Sequence, residues 1–411
     1  MIYYFYIFSL LSCLSYIGFK NRKPDLFTLA TLASAYYSST LLFGKIYDPN
    51  SHSYLVIHEY IYVFYSFLFI LLALTSFFHD RYFISTYKNQ IFEYRDLNYF
   101  YIAIILLVFI VILSLDSRAF FPKEFEDNDA SSFGALYNIY WSSILVGLVA
   151  AFRSNSNLVK VIMLIFLLTT LTAGSRAFFT IGSFIILLIF YENKPSIRLL
   201  MSLKRIIIIL FGFTFLLVFK NIYQYLLVFD MDMLIEAGTN IDLILFRLNE
   251  GGESIVILNF QHAISLYHEE PGSFADLIAV KSIPFVSELY IQGFNFDNRT
   301  MSDLINENYY QNVSYGMASS IWGLFYYVSG PFGTIIFCLF YVFLIFFLNI
   351  LIRKKNLLSV HLIPGSMFLT FYASRLEIAA ILFPFYMCFF LLIIFSILKI
   401  ILPRKVNKNY D

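Results

Sequence analysis

With 411 residues, a net charge of +1, 60% hydrophobic side chains and only 13% charged ones, the chain carries about half the charge that keeps a soluble domain of this size wet. A mean hydropathy of +0.74 excludes a water-borne globule, and the near-neutral balance excludes nucleic acid as a partner. Cys13, Cys338 and Cys388 all fall inside apolar runs, which excludes the disulfide framework of an exported domain.

A helix that crosses a bilayer needs roughly 20 mainly apolar residues. The first such run, 1–19, lacks the basic start and the small-residue cleavage site of a secretion signal, so it is expected to stay as a first helix. Further runs follow at 26–44, 55–78, 97–115, 134–152, 158–173, 177–191, 206–227, 331–352, 357–372 and 378–398. The expected fold is therefore all-α: a polytopic integral membrane protein with about 11 transmembrane helices (10–12). It divides along the chain into an N-terminal helix bundle (1–220), a large polar loop (221–330) holding short amphipathic helices, and C-terminal helices with a short tail (331–411).

Lysine and arginine in the connections set the orientation. Alternate connections hold 19 of the 28 basic residues, among them Lys20, Arg22, Lys23, Arg81, Arg153, Arg198, Lys204, Arg353 and Lys354, against only 6 of the 27 acidic ones. This places that side, with the C-terminus, in the cytoplasm and the N-terminus outside.

The same bias resolves the stretch between Lys160 and Glu192, where Arg176 is the only charge. One long crossing would put a basic cluster outside and an arginine in mid-bilayer, at a cost of about 3 kcal/mol. Two short crossings with an outer turn at Gly174-Ser175-Arg176 avoid both, and an identical argument puts a second outer turn at Ser374-Arg375-Leu376-Glu377. Arms of about 15 residues reach only about 23 Å, so Arg176 is expected at the outer headgroup level. In the large loop, Ser254–His268 alternates polar and apolar residues as a helix lying on or dipping into the membrane surface would. Matching halves, which many transporters carry, are absent from the sequence.

Five arginines fall on the outer side: Arg118, Arg176, Arg247, Arg299 and Arg375. A guanidinium presents a planar fork that holds phosphate bidentately and stays charged in a poorly hydrated site. Arg176 and Arg375 sit in short turns, and Arg247 lies in Phe246-Arg247-Leu248-Asn249-Glu250 early in the loop, so these three are the candidates for a diphosphate. The alternative for each is to snorkel to headgroups or to pair with Glu377 or Glu250. Candidate proton acceptors are Glu253, His262 and Glu288, with His268 and Asp303 beside them. His58-Glu59 opens like a zinc motif, but residue 62 is tyrosine, so the second ligand is missing and no metal is expected. The sequence also lacks a phosphate-binding glycine loop and a nucleotide fingerprint.

Three local features resemble the bacterial O-antigen or oligosaccharide repeat-unit polymerases, the Wzy family. They are the hairpin Thr172-Ala173-Gly174-Ser175-Arg176-Ala177-Phe178-Phe179, the loop opening Arg247-Leu248-Asn249-Glu250-Gly251-Gly252, and the loop exit from Ser319-Ser320-Ile321-Trp322-Gly323 through Gly330-Pro331-Phe332-Gly333. The plan extends over nearly the whole chain. Two departures stand out: Tyr310-Gln311-Asn312-Val313-Ser314-Tyr315 lacks the histidine that the related ligases place there, and Ile283-Pro284 lacks a following arginine.

The resemblance implies a membrane glycosyltransferase of the C-type architecture in the bacterial inner membrane, working at its periplasmic face. It implies an undecaprenyl-diphosphate-linked glycan as donor, a lipid-linked repeat unit as acceptor, no cofactor, and membrane lipid and a chain-length regulator as further candidate partners. Arg176, Arg247 and Arg375 would then stabilise the departing diphosphate without a metal. A flippase or transporter of the same lipid-linked oligosaccharide and a membrane polysaccharide acyltransferase are the competing classes, the latter because His52 lies in the first outer loop.

Overall fold

A hydrocarbon solvent offers the backbone no hydrogen bonds, so each apolar run must satisfy its peptide groups internally, and helices result. The computed structural model describes residues 1–48, 51, 53–82, 94–115, 134–172, 176–192, 197–208, 231–233, 235, 254–274, 278, 300–310, 319–376 and 378–401. The principal helices are α1 (Ile2–Phe19), α2 (Leu26–Tyr37), α3 (Glu59–Tyr82), α4 (Arg95–Leu115), α5 (Gly134–Arg153), α6 (Asn157–Thr172) and α7 (Arg176–Glu192), followed by α8 (Ser254–Glu269), α9 (Met301–Tyr309), α10 (Ile321–Ile352), α11 (Leu357–Tyr372) and α12 (Ile378–Ile401). Among the described residues, six helices are long and apolar enough to cross a membrane and four shorter apolar helices accompany them. The chain is thus an essentially all-helical, multi-pass membrane protein. The span expected at 206–227 lies almost wholly outside the described residues.

Lipid is visible as the solvent in the burial pattern. Along α10, Phe332, Ile336, Phe340, Phe343 and Phe347 recur at helical spacing and are exposed, whereas Cys338, Tyr341, Val342, Ile345 and Leu348 are buried. An apolar face this large is stable only against hydrocarbon.

Two compact units interleave along the chain. The first comprises Met1–Thr86, Tyr191–Ile350 and Phe368–Leu382. In it α1 lies along α3, and α2 opens on a capping box: the Asp25 carboxylate accepts from the Thr28 amide, and the Thr28 hydroxyl accepts from the Asp25 amide. A 3-10 turn (Ser39–Phe43) extends α2 and ends at Gly44, whose φ of 72° lies in the left-handed region open to glycine. The connection to α3, expected as a plain loop, forms an antiparallel hairpin of β1 (Lys45–Asp48) and β2 (Ser53–Val56). The helix expected on the membrane surface at 254–268 is present as α8, but it is buried rather than superficial. Val256 to Phe260, His262 to Ile264 and Leu266 are covered by β1, α2, α3 and α9.

The second unit comprises Tyr87–Phe190, Leu351–Met367 and Phe383–Asp411. Here α5 packs between α4 and α6. The stretch around Arg176 is two separate helices of 16 and 17 residues, as expected, and Gly182 of α7 lets Leu167 of α6 approach closely, which marks the pair as a hairpin. Within the unit, Tyr101 bonds His361 Nε2 at 2.6 Å, and the Arg153 guanidinium donates to the Ser359 hydroxyl and the Ile352 carbonyl.

Candidate functional site

Arg375 lies in the turn after α11, and backbone chemistry makes that turn tight. The amides of Arg375 and Leu376 both donate to the Tyr372 carbonyl at 2.9 Å. The turn is tied from outside by the start of α10: the Ile321 amide donates to the Ala373 carbonyl at 3.2 Å, and the indole N–H of fully buried Trp322 donates to the Ser374 hydroxyl at 3.0 Å. Arg375, itself half-buried, therefore starts from a backbone held on both sides.

The same stretch of α10 is the loop exit singled out in the sequence, where Gly330-Pro331 reads as the boundary before a helix beginning at 331. Helix α10 instead begins at Ile321 and breaks at Gly330, where φ is 66° and ψ is −165°. Pro331 has no N–H for the Tyr327 carbonyl, and the Gly272 amide just after α8 supplies one at 3.0 Å. Across the break, Tyr60 donates to the Pro331 carbonyl at 2.9 Å. Tyr267 fills the space beside Gly330, with its hydroxyl 2.6 Å from where a Cβ would stand. Gly323 also faces α8: a Cβ there would stand 3.5 Å from the Phe260 backbone, an ordinary packing distance. Ile321–Ser329 thus brackets α8 on one side and the Arg375 turn on the other.

Gly330→Ala would place a side chain in a region open essentially to glycine and drive it into the Tyr267 ring. A loss of about 1–3 kcal/mol is expected from the backbone alone. Thermal unfolding in detergent reads it, and an unchanged midpoint would show that the break does not constrain the fold.

His262, a candidate base, projects from α8 into protein. Its Nε2 lies 3.0 Å from the Tyr310 hydroxyl and its ring stacks on Tyr309 at 3.9 Å between centroids. Burial pushes its pKa down to about 4, with Asp48 working the opposite way. At neutral pH the ring is uncharged and pins the end of α9 to α8. The folded-state value lies below the ordinary 6.5, so the contribution to stability is complete above that pH and is lost as pH falls toward 4. The span of about 2.5 units corresponds to about 3 kcal/mol. Melting curves between pH 7 and 4 should show this loss, and His262→Gln should flatten it; equal slopes in both proteins would refute the assignment.

Arg176 is the first residue of α7, in the second unit, whereas Arg375 belongs to the first. Arg247, Glu253 and Glu288 lie outside the described residues.

Elsewhere in the first unit a polar cluster forms that the sequence did not reveal. Asp25, His79 and Asp80 bring ligand-capable atoms within 4.8 Å of one another. Both carboxylates and His79 Nε2 are already engaged by donors. Arg22 donates to Asp25 at 2.8 Å and to Asp80 at 3.1 and 3.3 Å, and Tyr16 donates to Asp80 at 3.0 Å. Asn349 of α10 donates to Asp25 and to His79 Nε2, both at 3.1 Å. Burial alone would lower the pKa of Arg22, but the two carboxylates more than offset it and raise it. The arrangement is a self-neutralised bracket joining α1, α2, α3 and α10, not a seat for a cation.

Trp322 was visible within the loop-exit run, but its partner Ser374 lies 52 residues on, and no local pattern announces the pair. No family model, curated protein or solved structure matches the chain.

Proposed function

We propose that the chain polymerises undecaprenyl-diphosphate-linked oligosaccharide repeat units into an O-antigen or related surface polysaccharide, at the periplasmic face of a bacterial inner membrane. Its N-terminus is periplasmic and its C-terminus cytoplasmic in this reading. An acceptor hydroxyl on the lipid-linked repeat unit attacks the anomeric carbon of the growing glycan and gives up its proton to a base, for which Glu253, His262 and Glu288 are the candidates, while the bond from that carbon to the diphosphate breaks and undecaprenyl diphosphate leaves. Arg176, Arg247 and Arg375 bind that diphosphate as its negative charge develops. The apolar helices receive the polyprenyl tail, and residues 221–330 cover the sugars.

The observation that carries the proposal is that Arg375 occupies a turn held by Trp322 and Ile321, with Arg176 at the head of the second short helix of its hairpin. An arginine that merely snorkels to headgroups needs no such fixed backbone.

Deletion of the gene in its host, with electrophoresis of the surface glycan, tests it. The expected product retains a single repeat unit and loses the ladder. Complete loss of surface glycan points to a flippase, an intact ladder with a missing substituent points to an acyltransferase, and either outcome overturns the proposal.

A further inference from the structure

The hairpin β1–β2 presents two different faces. Lys45 pairs with Val56 and Tyr47 with Tyr54, so these four share one face; Ile46, Leu55, Asp48 and Ser53 share the other. Ile46 and Asp48 are buried, and β1 packs on α8, so the second face is the one turned into the protein. On the first, Lys45 is exposed, the Tyr47 and Tyr54 rings meet edge to face at 5.5 Å, and Val56 is 76% exposed.

Helix lengths give the depth of this face. From Asp25, α2 and the 3-10 turn that follows rise about 28 Å to Gly44. Counting back along α3 from Asp80, which meets Asp25 through the shared Arg22, 20 residues rise about 30 Å to Tyr60. Both paths end one hydrocarbon thickness from the Arg22 bracket, which puts the start of β1 and the end of β2 at the headgroup level.

The exposed face also continues the surface that meets lipid. Leu42 and Phe43, immediately before the hairpin, are exposed, and the Leu42 carbonyl accepts from the Tyr3 hydroxyl at 2.8 Å. Tyr3 belongs to α1, whose Tyr4, Phe8 and Leu11 form an exposed apolar stripe down the helix.

We propose that the β1–β2 hairpin is an interfacial anchor whose Lys45/Tyr47/Tyr54/Val56 face lies in the phospholipid headgroup layer. Tyrosine suits this layer because its ring is apolar and its hydroxyl wet. Lys45 reaches a lipid phosphate along its apolar stem, and Val56 leaves water. The anchor holds β1, and through it α8, at a set height over the bilayer.

The three native cysteines are buried, so a cysteine introduced on this face takes a nitroxide label selectively. The full chain carrying Val56→Cys is placed in vesicles of phosphatidylethanolamine and phosphatidylglycerol, and relaxation by oxygen is compared with relaxation by a water-soluble nickel chelate. Glu307→Cys, on an exposed position of α9, is the reference. The oxygen-to-nickel ratio at Val56 is expected to exceed that at Glu307 several-fold, and Tyr54→Cys is expected to agree. Nickel access at positions 54 and 56 equal to that at 307 overturns the proposal, as a glycan-facing or water-facing hairpin would give. Glycan polymerisation need not be assayed, so this result and that of the gene deletion are independent.

Discussion

Alanine at Arg375 or at Arg176 is expected to abolish long-chain glycan while the protein still reaches the membrane. Departure of a diphosphate concentrates charge on oxygens that water would otherwise stabilise, and a preorganised cationic donor does so without reorganising. Removing one such donor costs about 2.7–4 kcal/mol, or about 10²–10³ in rate. Lysine keeps the charge but loses the bidentate fork, so Arg375→Lys is expected to retain a shortened ladder. Trp322→Phe separates position from charge: the aromatic packing on Phe64 and Tyr341 remains, while the N–H held by Ser374 is lost. It is expected to shorten the ladder with Arg375 intact. A full-length ladder from Arg176→Ala, Arg247→Ala and Arg375→Ala, with normal protein levels, would remove the arginines from the reaction.

The second large effect concerns stability. Arg22→Met should lower the unfolding free energy by about 3–5 kcal/mol, because it leaves the Asp25 and Asp80 carboxylates buried without their common cation. The side chains of Arg22, Asp25 and Asp80 are all less than 5% exposed, so water cannot replace the guanidinium cheaply. Lys20, 3.6 Å from Asp80, is too exposed to take over the role. In a background of Asp25→Asn and Asp80→Asn the same change should cost much less, since no buried charge is then stranded. Thermal unfolding in detergent measures both. Equal losses in the two backgrounds would show that Arg22 acts by packing alone.

Much of the helical plan was legible because it depends on local sums. A run such as 97–115 is apolar whatever it touches, and α4 forms over Arg95–Leu115. The division of 158–191 into two helices was legible too, since flanking charge made a single crossing too costly, although the turn expected at Gly174-Ser175 lies outside the described residues. The start of α10 was not. Gly330-Pro331 looks like a boundary, and only the Gly272 amide, the Tyr60 hydroxyl and the Tyr267 ring, all remote in sequence, let helix resume on the far side. Nor was the burial of α8. Its mixed composition fits a surface helix, and the hairpin that covers it is formed by a connection with no strong strand signal.

By itself the sequence determined the solvent: too little charge to face water, and apolar runs long enough for lipid, together dictate a multi-pass helical chain. Tertiary structure decided which charges meet. Arg22 finds Asp80 across 58 residues, Asn349 finds Asp25 across 324, and His262 loses access to water by stacking on Tyr309. Hydropathy adds along the chain, residue by residue, whereas ion pairs and hydrogen bonds depend on distances of about 3 Å that only the packed helices create.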